Sequence, residues 1–171
     1  MANLWRTWLE LVGYTDSNFQ FDRDDSKSVS GFIFTLNGGA ICWKSFKQNT
    51  VADSVCEAEY VAASDAAKEA VWIRKFLGEL GVAPSLDGPV LLYCDSTGAI
   101  AQAKEPKSHH QTKYILRRYH LVREIMERGV IDLRKIDGKE NLADPLTKPI
   151  CMKEFDDYKR KMGIRYSTDW L

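Results

Sequence analysis

The chain has 171 residues, 44% of them apolar and 28% charged, with 24 basic side chains against 24 acidic ones. One compact domain of that length buries roughly 70% of its unfolded surface and needs neither disulfide nor zinc to fold. No stretch approaches the ~20 uninterrupted apolar residues of a membrane span. The apolar start is broken by Arg6 and Glu10 and lacks a small-residue cleavage site, which argues against a signal peptide. Cys42, Cys56, Cys94 and Cys151 form no C-x-x-C pair and read as reduced thiols of an intracellular protein. Zero net charge names no partner, yet leaves room for an acidic pit beside a basic track.

Residues 9–15 read as a strand entering Gly13-Tyr14-Thr15-Asp16, followed by a polar loop around Asp22-Arg23-Asp24-Asp25-Ser26. Residues 29–36 and 40–43 flank Asn37-Gly38-Gly39, a hairpin signal because those positions accept positive φ. A long helix is expected over 54–80, opened by a capping box at Ser54 and Glu57 and stopped by Gly81 and Pro84. The apolar run 90–94 reads as a strand buried on both faces. A short helix over 96–103 follows, then a helix over 112–128, with Ile115, Tyr119, Val122, Ile125 and Met126 at helical spacing. A strand over 130–136, a helical turn at Asp144-Pro145 and a last helix over 153–162 complete the chain. Three strands and then alternating β and α elements give a three-layer α/β domain: a mixed five-stranded sheet with helices on both faces. The aromatic residues Trp43, Tyr60, Trp72, Tyr93 and Tyr119 mostly fall at core phases and read as packing.

In such sheets ligands bind beyond the carboxyl ends of the strands. Asp16 is expected just after the first strand and Asp95 just after the fourth, so parallel neighbours would send both side chains from one sheet edge. Either Asp alone reads as a turn former of the next element. Steps of three and four from Glu59 meet Ala62, Ala63, Ala66, Ala70, Ile73, Leu77 and Leu80, an apolar stripe that puts Glu59 on the buried face. Glu57 phases with Ser64, Asp65, Lys68 and Lys75 and is explained by capping. A buried carboxylate must be paired, neutralised or bound to metal. Asp144 before Pro145 reads locally as a helix N-cap. If the four acids converge, they require cations, and oxygen-only ligands suit Mg²⁺ or Mn²⁺, two ions about 4 Å apart clamping a phosphoryl displacement. His109, His110 and His120 lack cysteine partners at zinc-ligand spacing.

Seven blocks now carry a resemblance: Gly13-Tyr14-Thr15-Asp16-Ser17, Ser30-Gly31-Phe32-Ile33-Phe34, Ile41-Cys42-Trp43-Lys44-Ser45, Glu57-Ala58-Glu59-Tyr60-Val61-Ala62, Tyr93-Cys94-Asp95-Ser96, the 113–124 helix with Arg118-Tyr119-His120, and Asn141-Leu142-Ala143-Asp144-Pro145-Leu146-Thr147-Lys148. In that order they resemble the ribonuclease H domain of Ty1/copia-type retrotransposon polyproteins, particularly those of plants. The resemblance implies a ribonuclease H-like fold in a single domain over 1–171, with a core of about 10–148 and a helical extension over 149–171. It carries the D-E-D-D metal site onto Asp16, Glu59, Asp95 and Asp144, both as metal ligands and as catalytic residues. Asp16 would bridge two Mg²⁺ or Mn²⁺ ions, Asp144 would hold the nucleophile-side ion, and Glu59 and Asp95 the leaving-group-side ion. The implied reaction is endonucleolytic hydrolysis of the RNA strand of RNA–DNA hybrids, leaving 5′-phosphate and 3′-hydroxyl ends. The implied partners are the hybrid and a reverse transcriptase domain of the same polyprotein. A cytoplasmic monomer is expected, with a virus-like particle or the nucleus as other locations.

The chain departs from relatives that carry a His in a mobile loop before the last Asp: 134–141 holds none, which implies slow turnover or another aid to product release. Residues 1–11 match the family poorly, and no reverse transcriptase precedes them, as for an excised domain or a domesticated gene product. The alternative function is accordingly a non-catalytic module that kept the fold to bind nucleic acid or protein; a transposase or integrase core is a third reading.

Between Lys104 and Arg128 seven basic residues face three acidic ones. Lys113, Arg117 and Arg118 cluster on the helix behind the polar loop 108–112. Charge alone fits a solvated face equally well, but the fold analogy makes this a grip on the phosphates of the DNA strand. Ser17, Ser96 and Asn141, beside the expected metals, are candidates to touch ribose 2′-hydroxyls.

Overall fold

The computed structural model describes residues 9–81, 88–104 and 113–165, the side chains of 113–119 excepted. Its elements run β1 (Leu11–Asn18), β2 (Val29–Leu36), β3 (Gly39–Lys47), α1 (Val55–Glu79), β4 (Val90–Cys94), α2 (Thr97–Lys104), α3 (Lys113–Glu127), β5 (Ile131–Lys135) and α4 (Met152–Lys161), with 3-10 turns at Gly138–Glu140 and Asp144–Leu146. The sheet order is β3-β2-β1-β4-β5. The β1–β2 and β2–β3 pairs are antiparallel, and β1–β4 and β4–β5 are parallel. This is the expected mixed five-stranded sheet.

Alternation along the strands divides the core. Phe32 and Phe34 of β2, Leu92 of β4 and Leu133 of β5 meet Ala66, Ala67, Ala70, Ile73 and Leu77 of α1, Ala99 and Ile100 of α2, and Val122 and Ile125 of α3 on one face. The alanines of α1 let its backbone lie close to β1 and β2. On the opposite face Ile33 packs with Leu142, Ala143 and Met162, flanked by Tyr14, Leu146 and Tyr158. A long amphipathic helix and two shorter ones thus cover one side, and the 141–147 segment with α4 covers the other.

Several boundaries differ from expectation for identifiable reasons. Asp16 lies inside β1, opposite Gly31 of β2, because the antiparallel ladder continues to Asn18. Only alternate residues of β4 are fully buried; Leu91 and Tyr93 are half-covered by the thinner layer on the α4 side. Ser54 caps α1 by accepting from Glu57 N, whereas the Glu57 carboxylate accepts from Asp53 N, so the reciprocal bond reaches one residue further back. Tyr60 is buried, but Trp43 and Trp72 are 59% and 56% exposed. Trp43 sits on edge strand β3, and Trp72 is one residue, about 100° of helix, away from the stripe through Ile73. The Tyr119 side chain, residues 1–8 and the 108–112 loop lie outside the described residues. Among the described residues, no helix is long and apolar enough to cross a membrane.

Candidate active site

The parallel pairing of β1 with β4 sends the carboxyl ends of both strands to one sheet edge. There Asp16, Glu59, Asp95 and Asp144 line a single open cleft of about 380 Å³, together with Ser17, Asn18, Val55, Ser96, Thr147 and Lys148. Each acid comes from a different element: β1, the second turn of α1, the residue after β4, and the 3-10 turn Asp144–Leu146. Asp16, Glu59 and Asp144 are buried, and Asp95 is partly exposed.

Donors of the chain hold three of these carboxylates. Thr147 Oγ1 donates to Asp16 Oδ2. Ser17 donates twice to Glu59 Oε1, from its backbone N at 3.1 Å and its Oγ at 2.9 Å. Lys148 Nζ lies 2.6 Å from Asp144 Oδ1, and the Tyr158 hydroxyl donates to Asp144 Oδ2 at 3.4 Å. Lys135 Nζ donates to the Asp95 carbonyl at the rim. Asp144 is not the expected N-cap: Ala143 holds that position, with no side-chain cap, and the Asp144 carboxylate turns to Lys148 and Tyr158 instead.

Electrostatics follow from burial and crowding. Burial, with Asp16 and Asp95 close by, pushes Glu59 up to about 8 against the pull of the Ser17 bonds. Burial likewise raises Asp16 to about 6; the Thr147 hydroxyl lowers it, and Asp95 and Asp144 raise it. Lys148 is raised, chiefly by its bond to Asp144. Among the described lining residues, Lys148 supplies the one positive charge against four acids. Four carboxylates in one cleft, with burial disfavouring the charged forms of Asp16 and Glu59, are a chemical fit to Mg²⁺ or Mn²⁺.

The tightest grouping of potential ligand atoms among the described residues is Glu59, Cys94 and Asp95, all within 4.8 Å of one another. Asp16 and Asp144 line the same cleft without joining that grouping. Sequence reasoning did not single out Cys94, the last residue of β4. Its thiol is buried 3.9 Å from Glu59 Oε2, and burial and Glu59 drive it far up, so it stays a protonated donor.

Of the expected substrate contacts, Ser17 and Ser96 line the cleft; Ser96 Oγ also accepts from Ala99 N at the start of α2. Asn141 does not fit a ribose contact. It is fully buried, its Nδ2 donates to the Thr15 carbonyl at 3.0 Å and its Oδ1 accepts from Ala143 N at 3.2 Å. Asn141 therefore ties the 141–147 segment to β1. Lys113, Arg117 and Arg118 lie on α3, with side chains outside the described residues.

No protein-family model matches the chain. It is 42% identical over 154 residues to the retrovirus-related Pol polyprotein from transposon TNT 1-94 of Nicotiana tabacum, a match covering 90% of this chain and 11% of that protein. It is 35% identical over 156 residues to the corresponding polyprotein from transposon RE2 of Arabidopsis thaliana, covering 91% and 11%. The chain thus spans about a tenth of the length of the curated relatives it matches. Among solved structures, LC11-RNase H1 in complex with an RNA/DNA hybrid superposes with a TM-score of 0.59 at 18% identity, covering 80% of this chain and 93% of that one. The chain is therefore homologous to Ty1/copia-type Pol polyproteins of plants, over a segment that carries the ribonuclease H fold.

Proposed function

We propose that this chain is a divalent-metal-dependent ribonuclease H that cuts the RNA strand of RNA–DNA hybrids endonucleolytically. Asp16, Glu59, Asp95 and Asp144 are the metal-binding and catalytic residues of a D-E-D-D site. The observation that carries the reading is the convergence of these four acids, from four separate elements, on one cleft. The hybrid seen in the complex of a structural relative supports the substrate class. Two Mg²⁺ or Mn²⁺ ions, when bound, supply charge neutralisation, water activation and leaving-oxygen stabilisation.

The residues of the chain do the rest. Ser17 and Thr147 hold one oxygen each of Glu59 and Asp16 by hydrogen bonds and so restrict the orientation of both carboxylates. Ser17 and Ser96, at the cleft wall, are the candidates to read the ribose 2′-hydroxyl. Lys113, Arg117 and Arg118 on α3 grip phosphates of the DNA strand. The chain works as a monomeric single domain, core 10–148 with the extension 149–171, beside a reverse transcriptase domain of its polyprotein.

The test is a labelled RNA–DNA hybrid incubated with and without Mg²⁺ or Mn²⁺. Cleavage to 5′-phosphate and 3′-hydroxyl ends that stops with chelator and with Asp95→Asn supports the reading. An active Asp95→Asn protein, or tight hybrid binding with no cut in Mn²⁺, overturns it.

A further inference from the structure

We propose that Tyr158 is a positioning residue of the four-acid site: through its hydroxyl, α4 holds the Asp144 carboxylate in the orientation in which it accepts a divalent cation. The inference rests on the four-acid reading above and extends it to a helix outside the blocks that carried the resemblance, which end at Lys148.

Asp144 stands on a slight support. Its 3-10 turn has three residues, fixed by Asp144 N donating to the Asn141 carbonyl at 3.1 Å and Thr147 N to the Asp144 carbonyl at 3.2 Å. Its two carboxylate oxygens are taken separately. Lys148, from the same segment and half exposed, reaches Oδ1. Tyr158, from a different element, reaches Oδ2.

The element behind Tyr158 is braced. Met162, at the end of α4, is buried against Ile33, Leu142 and Ala143, and its carbonyl accepts from Ala40 N at 2.9 Å. Lys161 Nζ bonds Glu140 Oε1 at 3.1 Å and the Lys139 carbonyl at 3.2 Å, and lies 5.7 Å from the centre of the Tyr158 ring. Gly163 closes the helix at φ +71°, so near the β2–β3 hairpin that a Cβ would meet the Gly38 carbonyl oxygen at 2.5 Å. A carboxylate on a short turn therefore takes its direction from a hydroxyl on a docked helix.

The chemistry agrees. A tyrosine phenol ordinarily titrates at about 10, so the Tyr158 hydroxyl is a hydrogen-bond donor to Asp144 across the physiological range. A carboxylate oxygen that accepts one such bond retains lone pairs for a cation. Outer partners of this kind orient ligating carboxylates, and their loss typically costs about 10–100-fold in metal affinity or activity. At 3.4 Å the bond is long for O–H···O, which puts the expected effect at the lower end.

The experiment titrates Mn²⁺ calorimetrically into the full chain and its Y158F, D144N, G163A and Y158F/G163A variants, with hybrid cleavage measured in parallel. Phe keeps the ring and its packing. Y158F is expected to bind Mn²⁺ about 10-fold more weakly, to keep the thermal midpoint of the metal-free protein, and to lose kcat at low Mn²⁺ with recovery at high Mn²⁺ and an unchanged KM for hybrid. G163A, which pries α4 from the hairpin without touching the cleft, should weaken Mn²⁺ binding in the same direction and add nothing in the Y158F background. D144N with weakened binding beside Y158F with wild-type affinity overturns the role of Tyr158, as does an additive loss in the double variant. D144N with unchanged affinity overturns the four-acid reading itself.

Discussion

Gly31 stands opposite Asp16 in the β1–β2 ladder, and the room left by its missing side chain is filled by the segment that carries Asp144. A Cβ on Gly31 would lie 2.8 Å from Leu146 Cβ and 2.9 Å from Thr147 Cγ2. Thr147, seated there, donates to Asp16. The meeting of the first and last acids thus depends on a position with no side chain.

Gly31→Ala should push the 144–147 turn off the sheet. Overpacking of this kind costs about 1–3 kcal/mol, readable by urea unfolding, and Mn²⁺ affinity should fall with it. A destabilised Gly31→Ala protein with wild-type Mn²⁺ binding would contradict the link between this contact and the site.

Thr147→Val keeps the shape and removes the hydroxyl on Asp16 Oδ2. Since that bond lowers Asp16, its loss should drive the carboxyl above its present value of about 6 and reduce Mn²⁺ affinity by about 10-fold. Carboxyl-carbon NMR titration of the metal-free protein reads the first effect and calorimetry the second.

Stability should depend on pH with a sign set by Asp16 and Glu59. Their folded values, about 6 and about 8, exceed the ordinary 3.8 and 4.5, so the folded chain binds more protons across that window. The stability these groups contribute is full below their ordinary values and is lost as pH rises through 6 and then 8. Saturating Mn²⁺ should reverse the trend, because the ion binds the deprotonated carboxylates and stabilises more as they ionise. Urea unfolding across this window, with and without Mn²⁺, checks both signs; two parallel profiles would refute the coupling.

Neutralising Lys113, Arg117 and Arg118 should weaken hybrid binding while leaving Mn²⁺ affinity intact. Each lost phosphate contact should flatten the slope of log affinity against log salt by about 1. An unchanged slope in the triple variant would return this face of α3 to plain solvation.

Much of this arrangement is legible in the chain. The alanine stripe fixes the phase of α1 closely enough to separate Glu59 from Glu57, and the structure buries Glu59 with that stripe. The hairpin at Asn37-Gly38 follows from turn chemistry, with both residues at positive φ. What escaped were relationships that no local pattern carries. Asp-Pro at 144–145 has the local form of a cap, and only the distant Tyr158, with Lys148, draws its carboxylate elsewhere. Asn141 beside a site suggests a substrate contact, yet its partner is the Thr15 carbonyl, 126 residues away. Trp72 falls outside the core because it lies about 100° of helix from the stripe through Ile73, and there it stacks on Phe76 at 5.1 Å along the exposed side of α1.

The bond from Thr147 to Asp16 joins residues 131 apart in sequence, and this separation has a consequence for synthesis. A nascent chain that has left the ribosome only as far as β5 already owns the five described strands and three of the acids. It lacks the fourth acid, the Asn141 tie and the hydroxyl on Asp16. Within this segment the cleft is consequently completed only after the sheet has emerged, once residues 141–147 have docked on β1 and β2.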